Sequence, residues 1–237
     1  MTAYGYRVSE ECLVYWAAPA DARPRHRDLF TDDELERADA YRRPVDRDRF
    51  IVGCALSRIA LGELLRLPPA AVPLLRDCAD CGRPHGRPRL GDEAAHLSVS
   101  HSGDHVVVAV TRAGPVGVDV EKHAESPLDV ATTVLAPGEL ADWRRGPERV
   151  RGFFGYWTRK EAVLKATGDG LRARMTGVRV SAPGAPARLL SFDDRPGLRL
   201  WLADLEAGPE HSAALAVATD GPVSVTRLDG ARLLDTV

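Results

Sequence analysis

Between residues 97 and 120 the chain carries three strand-like runs, 97–101, 106–111 and 116–120, separated only by the Gly103-Asp104 and Gly114-Pro115 turns. Connections this short close hairpins and leave no room for crossover helices, so the strands read as mainly hairpin-linked. That excludes a doubly wound parallel sheet as the organising frame. Helical segments flank this centre. Thr31 and Glu34 form a capping box that opens a helix reaching about Tyr41, and Pro44 interrupts it. From Asp46 the apolar positions Phe50, Ile51, Cys54, Ile59, Leu61, Leu64 and Leu65 keep a period near 3.6, which predicts a second helix ending before Pro68-Pro69.

Farther on, Ser126-Pro127 and Pro137-Gly138-Glu139 each open a helix, and 150–167 is the best helical pattern of the second half, closed by Gly168-Asp169-Gly170. Residues 177–181, 198–202, 213–219 and 223–228 read as strands. The expected class is α+β, with a seam near Gly114 dividing 1–113 from 114–237.

Composition narrows the function. The chain has 237 residues, 44% of them hydrophobic, and a formal charge of -2, so it can bury a sizeable core but has no global basic field for nucleic acid. Arg7, Glu10 and Glu11 stand where a signal peptide needs apolar residues, and no run is long enough to cross a membrane; a cytoplasmic protein is expected. Four cysteines are too few for a disulfide framework, and thiols are the default. Cys78, Cys81 and His85 make half a zinc knuckle, which Cys54 or His96 would have to complete; free thiols in a loop are the competing account.

Chemistry concentrates in the middle of the chain. In Gly117-Val-Asp119-Val-Glu121 alternation places both acids on one strand face, roughly 7 Å apart by backbone spacing. A shared magnesium or manganese ion relieves their repulsion, and solvated acids on an edge strand are the bland alternative. On the helix Trp157-Thr-Arg-Lys160-Glu161-Ala-Val-Leu-Lys165, Glu161 and Lys165 can pair at the surface. Lys160 instead projects into the apolar arc with Phe153, Tyr156 and Leu164, where it needs a phosphate or a buried carboxylate. Only three of the 32 basic side chains are Lys, which marks Lys122, Lys160 and Lys165 as places where a compact ammonium is wanted. Ser98-Val-Ser100-His101-Ser102-Gly103 clusters hydroxyls and an imidazole at a strand end. A Ser/His nucleophile is the rival there, but Ser100 and His101 point to opposite faces and no nucleophile elbow surrounds them.

Gly-Arg87-Pro88, Ser98-Val-Ser-His101-Ser, Gly-Val-Asp119-Val-Glu121 and Trp157-Thr-Arg-Lys160-Glu161-Ala-Val-Leu-Lys165, in this order and spacing, resemble the 4′-phosphopantetheinyl transferases of the two-lobed, Sfp-type class. The resemblance covers about residues 35–170. It implies two similar α+β lobes related by pseudo-two-fold symmetry, built of mainly antiparallel sheets with packed helices. It further implies transfer of the 4′-phosphopantetheine arm of coenzyme A to a serine of an apo acyl or peptidyl carrier protein, as in secondary metabolite biosynthesis, with adenosine 3′,5′-bisphosphate released.

Carried over by residue, Asp119, Glu121 and Glu161 would hold magnesium, with Glu161 as ligand, general base or both, and Lys165 would neutralise the diphosphate. Ser100 and His101 would contact coenzyme A phosphates, and Arg87 with Pro88 an adenosine-side phosphate, Arg87 standing where the family often has lysine. Arg47 and Arg49 would serve the 3′-phosphate, Lys160 is an additional candidate for phosphate, and Phe50 replaces a hydroxyl found in some members. A monomer is expected, with no nucleic acid or membrane partner. A non-catalytic coenzyme A binding protein of the same fold and a metal-dependent phosphohydrolase are the competing functions.

Overall fold

The computed structural model describes residues 10–77, 82–83, 86–124 and 130–237. Its first half runs β1 (Glu10–Ala17), α1 (Asp32–Asp39), α2 (Pro44–Leu65), β2 (Leu74–Leu75), β3 (Arg89–Leu90), β4 (His96–Ser102) and β5 (His105–Thr111). The second runs β6 (Val116–Lys122), α3 (Ala131–Val134), α4 (Pro137–Arg145), α5 (Arg149–Thr167), β7 (Val178–Val180), β8 (Leu189–Phe192), β9 (Trp201–Leu205), β10 (His211–Val217), β11 (Val223–Asp229) and α6 (Gly230–Leu234). The mixed α+β class with mainly antiparallel pairing is as expected. Pro44 starts α2 rather than breaking a longer helix, because its fixed φ and missing N–H suit a first turn. The Ser126-Pro127 helix start lies outside the described residues, as do Cys78, Cys81 and His85 of the zinc expectation.

One sheet has the order β11-β1-β5-β4 and a second has β6-β10-β9. Every central strand is buried on both faces. Val106, Val108 and Val110 pack with α2, while Val107 and Ala109 join Val118, Val120, Leu215 and Val217 between the sheets. Ala214 and Ala216 face outward again, against α5. The layers are therefore helix, sheet, sheet, helix, and each half contributes one long helix on one sheet, compatible with the expected pair of lobes. Period-2 alternation accounts for this: neighbouring residues of one strand serve two different cores.

The division at 113/114 does not describe the end of the chain. β11 pairs in parallel with β1 from Glu10↔Val223 to Trp16↔Asp229, and α6 adds Leu233 and Leu234 to the core beneath α2. Residues 223–234 thus complete the first lobe. β1 and β11 pair across nearly the whole chain, so no local pattern in the sequence announces that they share a sheet.

Gly117 sets the depth of α5. A β carbon there would lie 2.0 Å from the Ala162 carbonyl oxygen, so only glycine lets the helix backbone press onto β6. That contact brings the last turns of α5 over Asp119.

Candidate active site

A cleft of about 520 Å³ opens where β4 and β6 meet, roofed by α5 on one side and by α1 and α2 on the other. Arg49, Arg87, Pro88, Ser100, His101, Asp119, Glu121, Glu161 and Lys165 all line it, although they come from five separate stretches of chain. Asp119 is the most enclosed of the acids, at 3% exposure. Its Oδ1 accepts from Ser100 Oγ at 2.9 Å and from Lys165 Nζ at 2.6 Å, while its Oδ2 is buried with no partner. Lys165 also donates to the Val118 carbonyl at 3.0 Å, which leaves one ammonium hydrogen for a ligand.

The three acids strain against one another. Burial, and after it the charge of Asp119, pushes Glu121 up to about 7. Burial and then Asp119 also raise Glu161, against the pull of Lys165. Because the folded pKa of Glu121 exceeds its unfolded value, the protein favours the protonated acid, and stability from this group is lost as pH rises through 7. Replacing Glu121 by Gln removes that penalty. In metal-free buffer the Tm of the E121Q variant relative to wild type is expected to climb between pH 5.5 and pH 8, and equal differences at both pH values would contradict this crowding.

The opposite wall is cationic, and part of it was invisible in the sequence. Arg37 and Arg76 join Arg49 and Arg87 in the lining. The Arg37 and Arg76 guanidinium carbons lie 5.3 and 5.8 Å from the centre of the Phe50 ring, and Arg76 Nε reaches Glu34 Oε1 at 3.5 Å. The available signal for Arg37 was its spacing with Glu34, Ala38 and Tyr41, an i, i+3, i+4, i+7 face that contains an arginine. Arg49 donates to Asp46 at 2.8 Å and to the Gly103 carbonyl at 2.6 Å, yet its Nε is buried and unpaired, as is Arg37 Nη1. Arg87 donates to the Lys165 carbonyl, tying the 86–90 segment to the end of α5. Desolvation, then Arg49 and Lys165, hold His101 below the usual imidazole range.

Three expectations change. Lys160 is fully buried and away from the cleft: its Nζ lies 2.5 Å from Glu139 Oε2 and donates to the Val134 and Met175 carbonyls at 2.9 and 3.0 Å. The buried carboxylate, not a phosphate, satisfies it. Arg47 is absent from the cleft lining and half-exposed, 3.8 Å from Asp48, because the α2 register turns Arg49 inward instead. Ser100 is in place, but its hydroxyl proton is committed to Asp119 rather than free for a phosphate. Among the described residues no three His, Cys, Asp or Glu side chains form a ready-made metal cage. Cys12 and Cys54, the free thiols among them, are buried and pushed up to about 12, chiefly by desolvation, and are therefore inert.

Residues 115–218, which contain all three acids and α5, match the 4′-phosphopantetheinyl transferase superfamily model. The 4′-phosphopantetheinyl transferase HetI of Nostoc sp. strain PCC 7120 is 32% identical over 87% of this chain and 86% of its own length. This chain belongs to the 4′-phosphopantetheinyl transferase superfamily. A putative 4′-phosphopantetheinyl transferase of Synechocystis sp. is 30% identical over 69% of this chain and 68% of its own. The transferase Sfp of Bacillus subtilis strain 168, at 24% identity, aligns over 93% of this chain and 98% of its own. The protein is a phosphopantetheinyl transferase that uses coenzyme A and acts on carrier protein domains.

Proposed function

We propose that the cleft binds coenzyme A across its two walls, phosphates toward the arginines and the scissile diphosphate over the acids. The observation that carries this is the distribution of unsatisfied groups. Five buried side-chain polar atoms lack partners among the described residues, and four of them, Arg37 Nη1, Arg49 Nε, Asp119 Oδ2 and Trp157 Nε1, belong to residues of this one cleft. Buried polar atoms left unpaired cost about 1–3 kcal/mol each, so a site that concentrates them is built for a ligand.

The acid wall fits a divalent cation. An orphaned carboxylate oxygen on Asp119, with Glu121 and Glu161 crowded enough to raise their pKa values, is a hard-oxygen donor set short of positive charge. Asp119, Glu121 and Glu161 would hold magnesium or manganese. When bound, the ion supplies charge neutralisation to the diphosphate. Glu161, as the carboxylate, takes the proton of the carrier serine, whose oxygen forms the new bond to phosphorus as the bond to adenosine 3′,5′-bisphosphate breaks. Lys165 uses its remaining hydrogen on the diphosphate, His101 donates a ring N–H to a phosphate oxygen, and Arg87, Arg37 and Arg49 hold the nucleotide end.

A single chain supplies both walls, which supports action as a monomer on acyl or peptidyl carriers in the cytoplasm. None of the described helices is long and apolar enough to cross a membrane. The test is the intact mass of an apo carrier after incubation with the protein, coenzyme A and magnesium. A gain of one phosphopantetheinyl group that disappears with a chelator is expected. Binding of coenzyme A without any gain on acyl or peptidyl carriers would instead favour a non-catalytic binding protein.

A further inference from the structure

β4 and β6 belong to different sheets, yet they lie side by side, and the seam between them is made of side chains. Ser98, Ser100 and Ser102, at alternate positions of β4, accept the main-chain N–H groups of Val118, Val120 and Lys122 at 3.0, 3.2 and 3.0 Å. Hydroxyl oxygens thus stand where a neighbouring strand would offer carbonyls. A serine that accepts at its oxygen still has one O–H to direct elsewhere. Ser100 directs it to Asp119 Oδ1 at 2.9 Å and Ser102 to Glu121 Oε2 at 2.8 Å, whereas Ser98 meets no carboxylate.

The two acids are not equally secured. Asp119 is held by Lys165 as well as by Ser100. For Glu121 the hydrogen bond from Ser102 is the restraint, and the repulsion of Asp119 drives the side chain away from its neighbour. Glu121 is also the longer and more exposed of the pair, so rotation toward solvent is open to it.

We propose that Ser102 is a positioning residue for Glu121: anchored on the Lys122 N–H, its hydroxyl holds the Glu121 carboxylate at the place where the divalent ion binds. The inference rests on the magnesium reading of the site. Groups that orient a metal ligand from behind typically change metal affinity by about 10- to 100-fold when removed.

Ser98 provides the control, since Ser98→Ala deletes the same kind of seam contact without touching an acid. Calorimetric titration of Mn2+ into the protein saturated with coenzyme A, with coenzyme A alone as blank, reads the ion directly. Ser102→Ala is expected to raise the Mn2+ Kd at least about tenfold, and Ser98→Ala to leave it within about twofold of wild type, both with circular dichroism of a folded protein. An unchanged Kd in Ser102→Ala overturns the proposal. Equal weakening in both variants also overturns it, because the seam itself would then be responsible. Failure of the wild type to bind Mn2+ would remove the magnesium reading beneath it, an outcome separable from either of these. Should Ser102→Ala fail to fold, Ser102→Thr keeps the hydroxyl and the affinity, and a tenfold loss in that variant overturns the assignment.

Discussion

Asp119→Asn is expected to lower phosphopantetheinyl transfer by about 100- to 1000-fold, the scale of removing one preorganised electrostatic group from a transition state. The substitution is chosen for what it spares. An amide oxygen can still accept from Ser100 and Lys165 at the site of Oδ1, so the strand, the seam and the helix contact persist. What disappears is the negative charge and the anionic Oδ2, the buried atom without a partner. Loss of the charge also relieves Glu121 and Glu161, both pushed up in part by Asp119, which offsets part of what losing the ion pair with Lys165 costs. Mass spectrometry of the carrier together with thermal unfolding reads both quantities. Retention of more than about a tenth of wild-type turnover would remove Asp119 from the catalytic assignment, since a single oxyanion-type contact is already worth more than that.

Lys160→Met is expected to have the largest effect on folding, a loss of about 3–5 kcal/mol in unfolding free energy. Glu139 is the reason. Its two oxygens accept the Ala136 N–H at 2.7 Å, closing the first turn of α4, and the Val180 N–H at 2.9 Å, fixing β7, besides lying 2.5 Å from Lys160 Nζ. Remove the ammonium and a buried carboxylate faces only amides, while the Val134 and Met175 carbonyls lose their donor. Native stabilities of roughly 5–15 kcal/mol make such a loss decisive. Denaturant unfolding of the single variant and of Lys160→Met with Glu139→Gln separates charge from shape: the neutral double variant recovers part of the loss. A single variant within about 1 kcal/mol of wild type would show that the pair is not the joint between α4, α5 and β7 that its contacts describe.

The two residues illustrate different degrees of legibility. Asp119 and Glu121 could be placed on one strand face because the side-chain period of a strand is local, and Lys160 could be placed in the apolar arc because the period of a helix is local too. Their partners could not. Glu139 lies 21 residues from Lys160 in the chain, on another helix, and Ser102 lies 19 from Glu121, on another strand. The sequence left Lys160 between a phosphate and a buried carboxylate and gave Ser100 to phosphate, because it displayed groups able to bind one without showing that Glu139 and Asp119 had already taken them.

By itself, then, the sequence determined the main helices and the 97–120 strands, their antiparallel tendency, the family motifs and the acids, all written in spacings of a few residues. Only tertiary structure decided that β11 returns to β1, that Arg37 and Arg76 face the acids across one cleft, and that serines rather than carbonyls close the seam. The physical reason is common to all three: these contacts join residues from about 20 to more than 200 positions apart. Burial of two cores against one pair of sheets brings them together, and no local periodicity encodes that meeting.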